Sequence, residues 1–368
     1  MTDMASPAAL VTWGGFVLAL VFGAVANKSN FCIMGAISDV VNMGHWGRVR
    51  MWMLAVAVAI IGASLLQLSG LVDLSRSLYP RPTLPWLSLI VGGTCFGFGM
   101  TLAGGCANKN LIRLGGGSLR SLVVLVFVGL SGYMTLKGLF GQWRATLLDP
   151  IAIDLASFGL AHSSLPVLLA RLTGMPASSA LMVAALLLFV FRDKRFRSRP
   201  VPALGAALIG ALVVAGWYVS GHLGYGENPD TLEFGYFATN SRTIESLSFV
   251  GPMAYGLELL MLWTDKSLHA TFGIASAAGV VLGSAAYALG ARTFRWEGFA
   301  HSLDDLRNQL IGAVLMGFGG VTALGCTIGQ GLTGISTLAI GSFIAVAAII
   351  AGSVATLRYT LWREERNA

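Results

Sequence analysis

About nine long apolar runs decide most of what this chain can become. They lie near residues 8–27, 51–72, 86–106, 119–140, 176–192, 201–223, 268–291, 309–326 and 335–358. At about 1.5 Å of rise per residue such runs cross, or nearly cross, a hydrocarbon layer roughly 30 Å thick. Charged residues make up only 11% of the 368, against about 25% in a soluble domain. The expected fold class is an all-α integral membrane protein with about nine transmembrane helices. Shorter apolar pieces, Phe31–Val41, Leu165–Thr173 and Pro252–Trp263, cannot cross alone and are expected as re-entrant or interfacial helices. Residues 1–7 lack a basic region ahead of the first run, which is therefore read as mature sequence rather than a cleaved signal.

The formal net charge of +7 does not point to nucleic acid in such a chain, because basic residues mark the cytoplasmic loops of membrane proteins. Arg192, Lys194, Arg195, Arg197 and Arg199 form the densest cluster, between the two central runs. The loop 221–249 carries Glu227, Asp230, Glu233 and Glu245 against a single Arg242. Placing the basic loops inside and the acidic loop outside gives an outside N-terminus and a cytoplasmic C-terminus.

Two stretches 220 positions apart repeat one frame. Gly92, Gly97-Phe98-Gly99 and Gly105-Cys106 superimpose on Gly312, Gly317-Phe318-Gly319 and Gly325-Cys326. The run at 51–72 likewise resembles that at 268–291, with Ile61-Gly62-Ala63-Ser64 over Leu282-Gly283-Ser284-Ala285. Counted along the chain, these two runs point in opposite directions. The expectation is two pseudosymmetric inverted halves, 1–191 and 201–368, joined by a basic cytoplasmic stretch at 192–200, as in many transporters. The paired Gly-Phe-Gly motifs are expected to seat the two cysteine-bearing helices against each other, since small residues allow close approach in lipid.

Cys32, Cys106 and Cys326 share a second property: polar or glycine-rich residues interrupt the apolar run beside each one. The flanks read Asn27-Lys28-Ser29-Asn30, Ala107-Asn108-Lys109-Asn110 and Thr327-Ile328-Gly329-Gln330-Gly331. A helix that breaks there frees backbone amides, which survive in a membrane only inside protein or along a cavity. Free amides at a helix start attract anions, and a thiol adds a soft, polarizable atom. Cys95 lacks this setting and is read as packing. Gly105, Gly325 and Thr327 stand beside the breaks as candidate substrate contacts. Lys109 is a candidate too, because a cation within a membrane is costly without a role. The histidines pair with no carboxylate at metal-binding spacing, and no phosphate loop or nucleophile elbow is present. No cofactor and no metal is expected.

The segments Phe31-Cys32-Ile33-Met34-Gly35-Ala36-Ile37-Ser38-Asp39, Ala103-Gly104-Gly105-Cys106 and Gly325-Cys326-Thr327-Ile328-Gly329-Gln330-Gly331 resemble the three cysteine motifs of the YeeE/YedE family. That resemblance implies a bacterial inner-membrane importer of a small sulfur anion such as thiosulfate. It implies that Cys32, Cys106 and Cys326 line a narrow path, and that a small cytoplasmic sulfur carrier of the TusA type works beside it. Ala107-Asn108-Lys109-Asn110 departs from the small residues expected after Cys106, which leaves the substrate open among thiosulfate, another sulfur oxyanion, a persulfide or a selenium compound. The alternative is a membrane sulfurtransferase-like protein that passes a cysteine persulfide to the carrier, with Lys109 stabilising the thiolate.

Overall fold

The computed structural model describes residues 7–158, 162–168, 179–227, 234–298 and 303–367. The described residues are almost entirely helical. Twelve helices carry the architecture: α1 (Pro7–Ser29), α2 (Ile33–Met43), α3 (Gly47–Leu68), α4 (Trp86–Leu102), α5 (Ala107–Gly115), α6 (Leu119–Lys137), α7 (Ser179–Phe191), α8 (Pro200–Tyr218), α9 (Val250–Met261), α10 (Phe272–Gly290), α11 (Leu303–Thr322) and α12 (Ile340–Asn367). Two small antiparallel pairings, Thr83–Leu84 with Ile153–Asp154 and Gly226–Glu227 with Phe234–Gly235, are minor additions in the connecting segments.

By length and composition, seven of the described helical stretches are able to cross a membrane. They coincide with seven of the nine expected runs. The other two differ for physical reasons. α7 is apolar but described for only 13 residues. α11 starts at Leu303, upstream of the apolar run, and its first turns carry Asp304, Asp305 and Arg307. The expected short helices at Phe31–Val41 and Pro252–Trp263 form as α2 and α9. Of Leu165–Thr173, residues 169–173 lie outside the described set, as do Asp230 and Glu233 of the acidic loop.

The packing pairs elements from the two ends of the sequence. α1 runs parallel to α10: Gly15 faces Phe272, Gly23 faces Val280, and Asn27 Nδ2 donates to Ser284 Oγ at 2.8 Å. α3 runs parallel to α8, with Gly210 facing Ala55 and Gly62 facing Val214. α1 and α8 are antiparallel, because Gly14 meets Val219 while Gly205 meets Ser29. α3 and α10, which carry the second sequence match, therefore point in opposite directions. α4 and α11 also cross antiparallel, backbone to backbone: a Cβ on Gly312 would lie 2.6 Å from the Gly99 carbonyl oxygen.

The Gly-Phe-Gly expectation needs a correction. Gly99 and Gly319 do line the α4–α11 crossing, with Gly92 and Gly312. Gly97 instead receives Gly352 and Ser353 of α12, and Gly317 receives Val128 and Gly132 of α6. Glycines two apart on a helix point about 200° apart, so one motif serves two neighbours. Serines and threonines reinforce the same contacts, since polar side chains gain from finding partners inside the bundle. Thr101 and Ser353 hydroxyls bond at 2.9 Å between α4 and α12, and Ser131 Oγ donates to the Val314 carbonyl at 2.7 Å between α6 and α11.

Candidate functional site

Each motif cysteine sits at the same kind of turn. The preceding helix ends with a residue in the left-handed region two positions before the cysteine: Asn30 (φ 51), Gly104 (φ 69) and Leu324 (φ 58). The next N–H then reaches back five residues, Phe31 to Ala26 O at 3.0 Å, Gly105 to Met100 O at 2.8 Å and Gly325 to Gly320 O at 2.8 Å. This is the helix-ending arrangement in which a left-handed residue lets late amides satisfy orphan carbonyls. The cysteine follows and begins a new helical segment: Ala36 N donates to Cys32 O, Asn110 N to Cys106 O and Gln330 N to Cys326 O. At Cys32 and Cys326 the thiol takes the place of a capping side chain. Gly35 N donates to Cys32 Sγ at 3.3 Å, and Gly329 N to Cys326 Sγ at 3.4 Å. Each turn thus combines a soft sulfur with the electropositive start of a helix.

The turns are held by amide side chains at matching places. Asn110, four after Cys106, donates from Nδ2 to Gly105 O and Cys106 O, and Gln330, four after Cys326, donates from Nε2 to Ala323 O at 2.5 Å. Trp52 Nε1 caps Gly331 O at 3.0 Å. The residues after Cys326 wind into a π-helical turn, Gly329–Gly334, whereas those after Cys106 form α5.

The three thiols are buried and unpaired by disulfides. Cys32 and Cys106 are neighbours whose side chains face each other. The Thr327 hydroxyl, beside Cys326, points toward Cys106 and forms no hydrogen bond to any described atom. Buried Asn108 Oδ1 and Gln330 Oε1 are also without partners among the described residues. Buried polar atoms are normally satisfied, so a cluster of orphans around cysteine turns marks space for a polar ligand or water. Gly105 and Gly325 lie at the two turns as expected, Gly105 against the Lys109 stem and Gly325 against Gln330. Cys95 lies half-buried on α4, away from any turn.

The surroundings differ on the two flanks. Beside Cys32 and Cys106 stand cations. Lys109 Nζ donates to Asn30 Oδ1 at 2.8 Å and Arg113 to Gly104 O at 2.9 Å, while Arg48 lies over Gly35 and pairs with Asp39 at 3.4 Å. Lys109 thereby ties the first turn to the second. Beside Cys326 stands a cavity of about 150 Å³ lined by Tyr79, Arg144, Glu245, Ser248, Tyr255 and Gly325. A second, of about 350 Å³, shares Tyr79, Arg144 and Leu324 and reaches Arg81, Gln330 and Ser342. Burial pushes the Glu245 carboxyl above the ordinary glutamate range, against hydrogen bonds from Ser241. Tyr79, Glu245 and Ser248 were not legible as site residues, since they come from connecting segments without periodicity. Gln330 and Asn110 were not singled out either, though their matching distance from the paired cysteines is the signal that finds them.

Comparison with known proteins agrees with this architecture. A family profile described as Sulphur transport matches residues 28–355. The Thiosulfate transporter TsuA of Spirochaeta thermophila is 28% identical over 364 residues, covering 95% of this chain and 99% of that protein. The Thiosulfate transporter TsuA of Escherichia coli is 26% identical over 337 residues, 86% of each chain. The Probable transporter YedE of Escherichia coli is 26% identical over 184 residues, 49% of this chain and 41% of that protein. With all three cysteine turns inside the matched region, this multi-pass membrane chain belongs to the sulphur transport family.

Proposed function

We propose that the protein carries thiosulfate inward across a bacterial inner membrane, handing it along Cys326, Cys106 and Cys32. The observation that carries this reading is the triple use of one turn, each with a thiol at the start of a helical segment. An anion with a terminal sulfur suits such a point twice over: oxygen toward amide N–H groups, sulfur toward sulfur. The difference between the flanks supports the inward direction of this reading. The approach at Cys326 holds a carboxyl, Glu245, whereas Cys32 and Cys106 lie under Lys109, Arg113 and Arg48. An anion moving that way goes from a less to a more favourable field.

The same reading takes 1–191 and 201–368 as inverted halves around the basic joint 192–200, with the N-terminus outside and the C-terminus in the cytoplasm. The opposed directions of α3 and α10, and of α4 and α11, support it. Arg48 and Arg113 near Cys32 are groups a TusA-type sulfur carrier would meet. Radiolabelled thiosulfate uptake into proteoliposomes tests the proposal: wild type accumulates label and Cys106→Ser does not. The nearness of Lys109 to the Cys32–Cys106 pair keeps a sulfurtransferase reading in play. It requires a persulfide on one of these cysteines, visible as a mass adduct on the intact purified protein, together with no net uptake.

A further inference from the structure

Among the described residues lining the chamber beside Cys326, Glu245 is the one carboxyl, the group that works against an anion. Its Oε1 accepts from Ser241 N at 2.9 Å, and its backbone is held at both ends by Ser220. It forms no ion pair among the described residues. The other titratable or charged groups facing the chamber are Tyr79 from the segment before α4, Arg144 and Tyr255 of α9, with the Cys326 thiol behind Tyr79. Arg144 is paired with Asp149 rather than with Glu245, its Nε 3.2 Å from Asp149 Oδ2, and Asp149 is further held by Ser88 at 2.7 Å. The chamber also adjoins the Cys326 turn. Ser248 and Tyr79 crowd Gly329, the residue whose N–H caps Cys326, and Gly325 forms part of its wall.

We propose that this chamber is an oxyanion-loading site and that Glu245 is its proton-linked acid, so that an anion occupies it together with one proton on the Glu245 carboxyl. The inference rests on the transport reading and adds the loading site and its coupling. The proton comes from water on the chamber side and attaches to a carboxylate oxygen; no other bond changes. A carboxylate and a sulfur oxyanion repel strongly in so small a space, because partial burial weakens solvent screening. Protonation removes that repulsion and leaves Arg144, Asn240 and Ser248 to receive the oxygens. By linkage the coupling is reciprocal: the anion raises the affinity of Glu245 for its proton as much as the proton raises the affinity for the anion.

The sign follows from the repulsion, since the anion binds best beside the neutral carboxyl. Burial holds the carboxyl neutral to higher pH than in the unfolded chain. Binding is therefore strongest below the folded-state pKa, and above it the affinity falls about tenfold per pH unit, the slope for one linked proton. Titrating thiosulfate into the purified wild-type protein in two buffers of different ionisation heat, between about pH 5.5 and 8, reads the proton directly. Net proton uptake on anion binding, growing as pH rises through the folded-state pKa, is the expected result. Glu245→Gln, which keeps an acceptor for Ser241 N, is expected to bind with no proton uptake and no pH dependence, and to melt no lower than wild type at pH 8. Anion binding by wild type without proton uptake, or full pH dependence retained in Glu245→Gln, overturns the proposal. The wild-type proton count does not depend on any variant folding. Linked binding without thiosulfate uptake into proteoliposomes overturns the transport reading alone, whereas uptake without linkage overturns this inference alone.

Discussion

The turns at Cys106 and Cys326 are built alike and set in opposite surroundings. Both have a left-handed residue two before the cysteine, the same five-residue return bond, and an amide side chain four residues on. After Cys106 the chain enters α5 with Lys109 one turn in. After Cys326 the corresponding place is Gly329, and the chain winds into a glycine-rich π-helical turn against Tyr79 and Ser248. The shared part fixes where sulfur and amides stand. The unshared part sets the charge, and on the proposed path it makes one turn an acceptor from outside and the other a donor to the inside.

Removing the shared chemistry should have the largest effect. Cys106→Ser and Cys326→Ser are each expected to bring thiosulfate uptake to background, at a stability cost of about 1 kcal/mol, within the common range for single substitutions. Cys95→Ser should leave uptake near wild type. Uptake and melting temperature measured on the same preparations separate the two effects. Wild-type uptake in both serine variants at the motif cysteines would break the comparison at its root.

The second effect is steric. Leucine at Gly99 or Gly319 would push the α4–α11 crossing apart, and leucine at Gly97 or Gly317 would push the same helices off α12 or α6. Overpacking of this kind costs about 1–3 kcal/mol or more. Loss of folded protein is expected from all four, and thermal melts in detergent will show whether the two repeats are equally intolerant.

A smaller effect should come from charge. Lys109→Gln keeps a hydrogen bond toward Asn30 and removes the cation, so uptake should fall severalfold and become less sensitive to salt. Placing the same charge at the equivalent site, Gly329→Lys, should be far worse, because Ser248 already occupies that space. Initial uptake rates at low and high ionic strength distinguish the two. If Lys109→Gln transports at the wild-type rate at every ionic strength, the electrostatic difference between the turns has no role.

Much of this arrangement was present in the amino-acid pattern. Seven of the nine expected runs form helices long enough to cross, and the interruptions at Asn30, Asn108 and Gly329 located the breaks, because a polar residue or a glycine cluster in a lipid-length run is itself a structural statement. Helix limits were less legible. The run 86–106 is apolar to its end, yet α4 stops at Leu102 because Gly104 turns left-handed. The run 335–358 is continuous, yet α12 starts at Ile340 because Leu338 turns left-handed (φ 56) just before it. The facing of each glycine depends on neighbours hundreds of residues away. Glu245 and Tyr79 were hidden for the same reason: only the fold brings two connecting segments onto one chamber.

The gentlest test uses the left-handed residue itself. Gly104 and Leu324 hold nearly the same φ, and a Cβ at Gly104 would find its nearest neighbour at 3.9 Å. Gly104→Leu copies the other turn without a clash and should cost about 1 kcal/mol of left-handed strain. Uptake should survive; a melting temperature equal to wild type would show that the Cys106 turn does not need glycine.

The parallel seating of α1 on α10 has a consequence for how the protein is made. α1 leaves the ribosome well before α10, which is synthesised roughly 260 residues later, on the order of tens of seconds at ordinary elongation rates. During that interval Gly15, Gly23 and Asn27 have no Phe272, Val280 or Ser284 to meet. The first helix must wait in the bilayer beside temporary neighbours. Its groove, lined by an uncommitted asparagine, is the surface that insertion factors or a quality-control protease would see in a stalled or truncated chain.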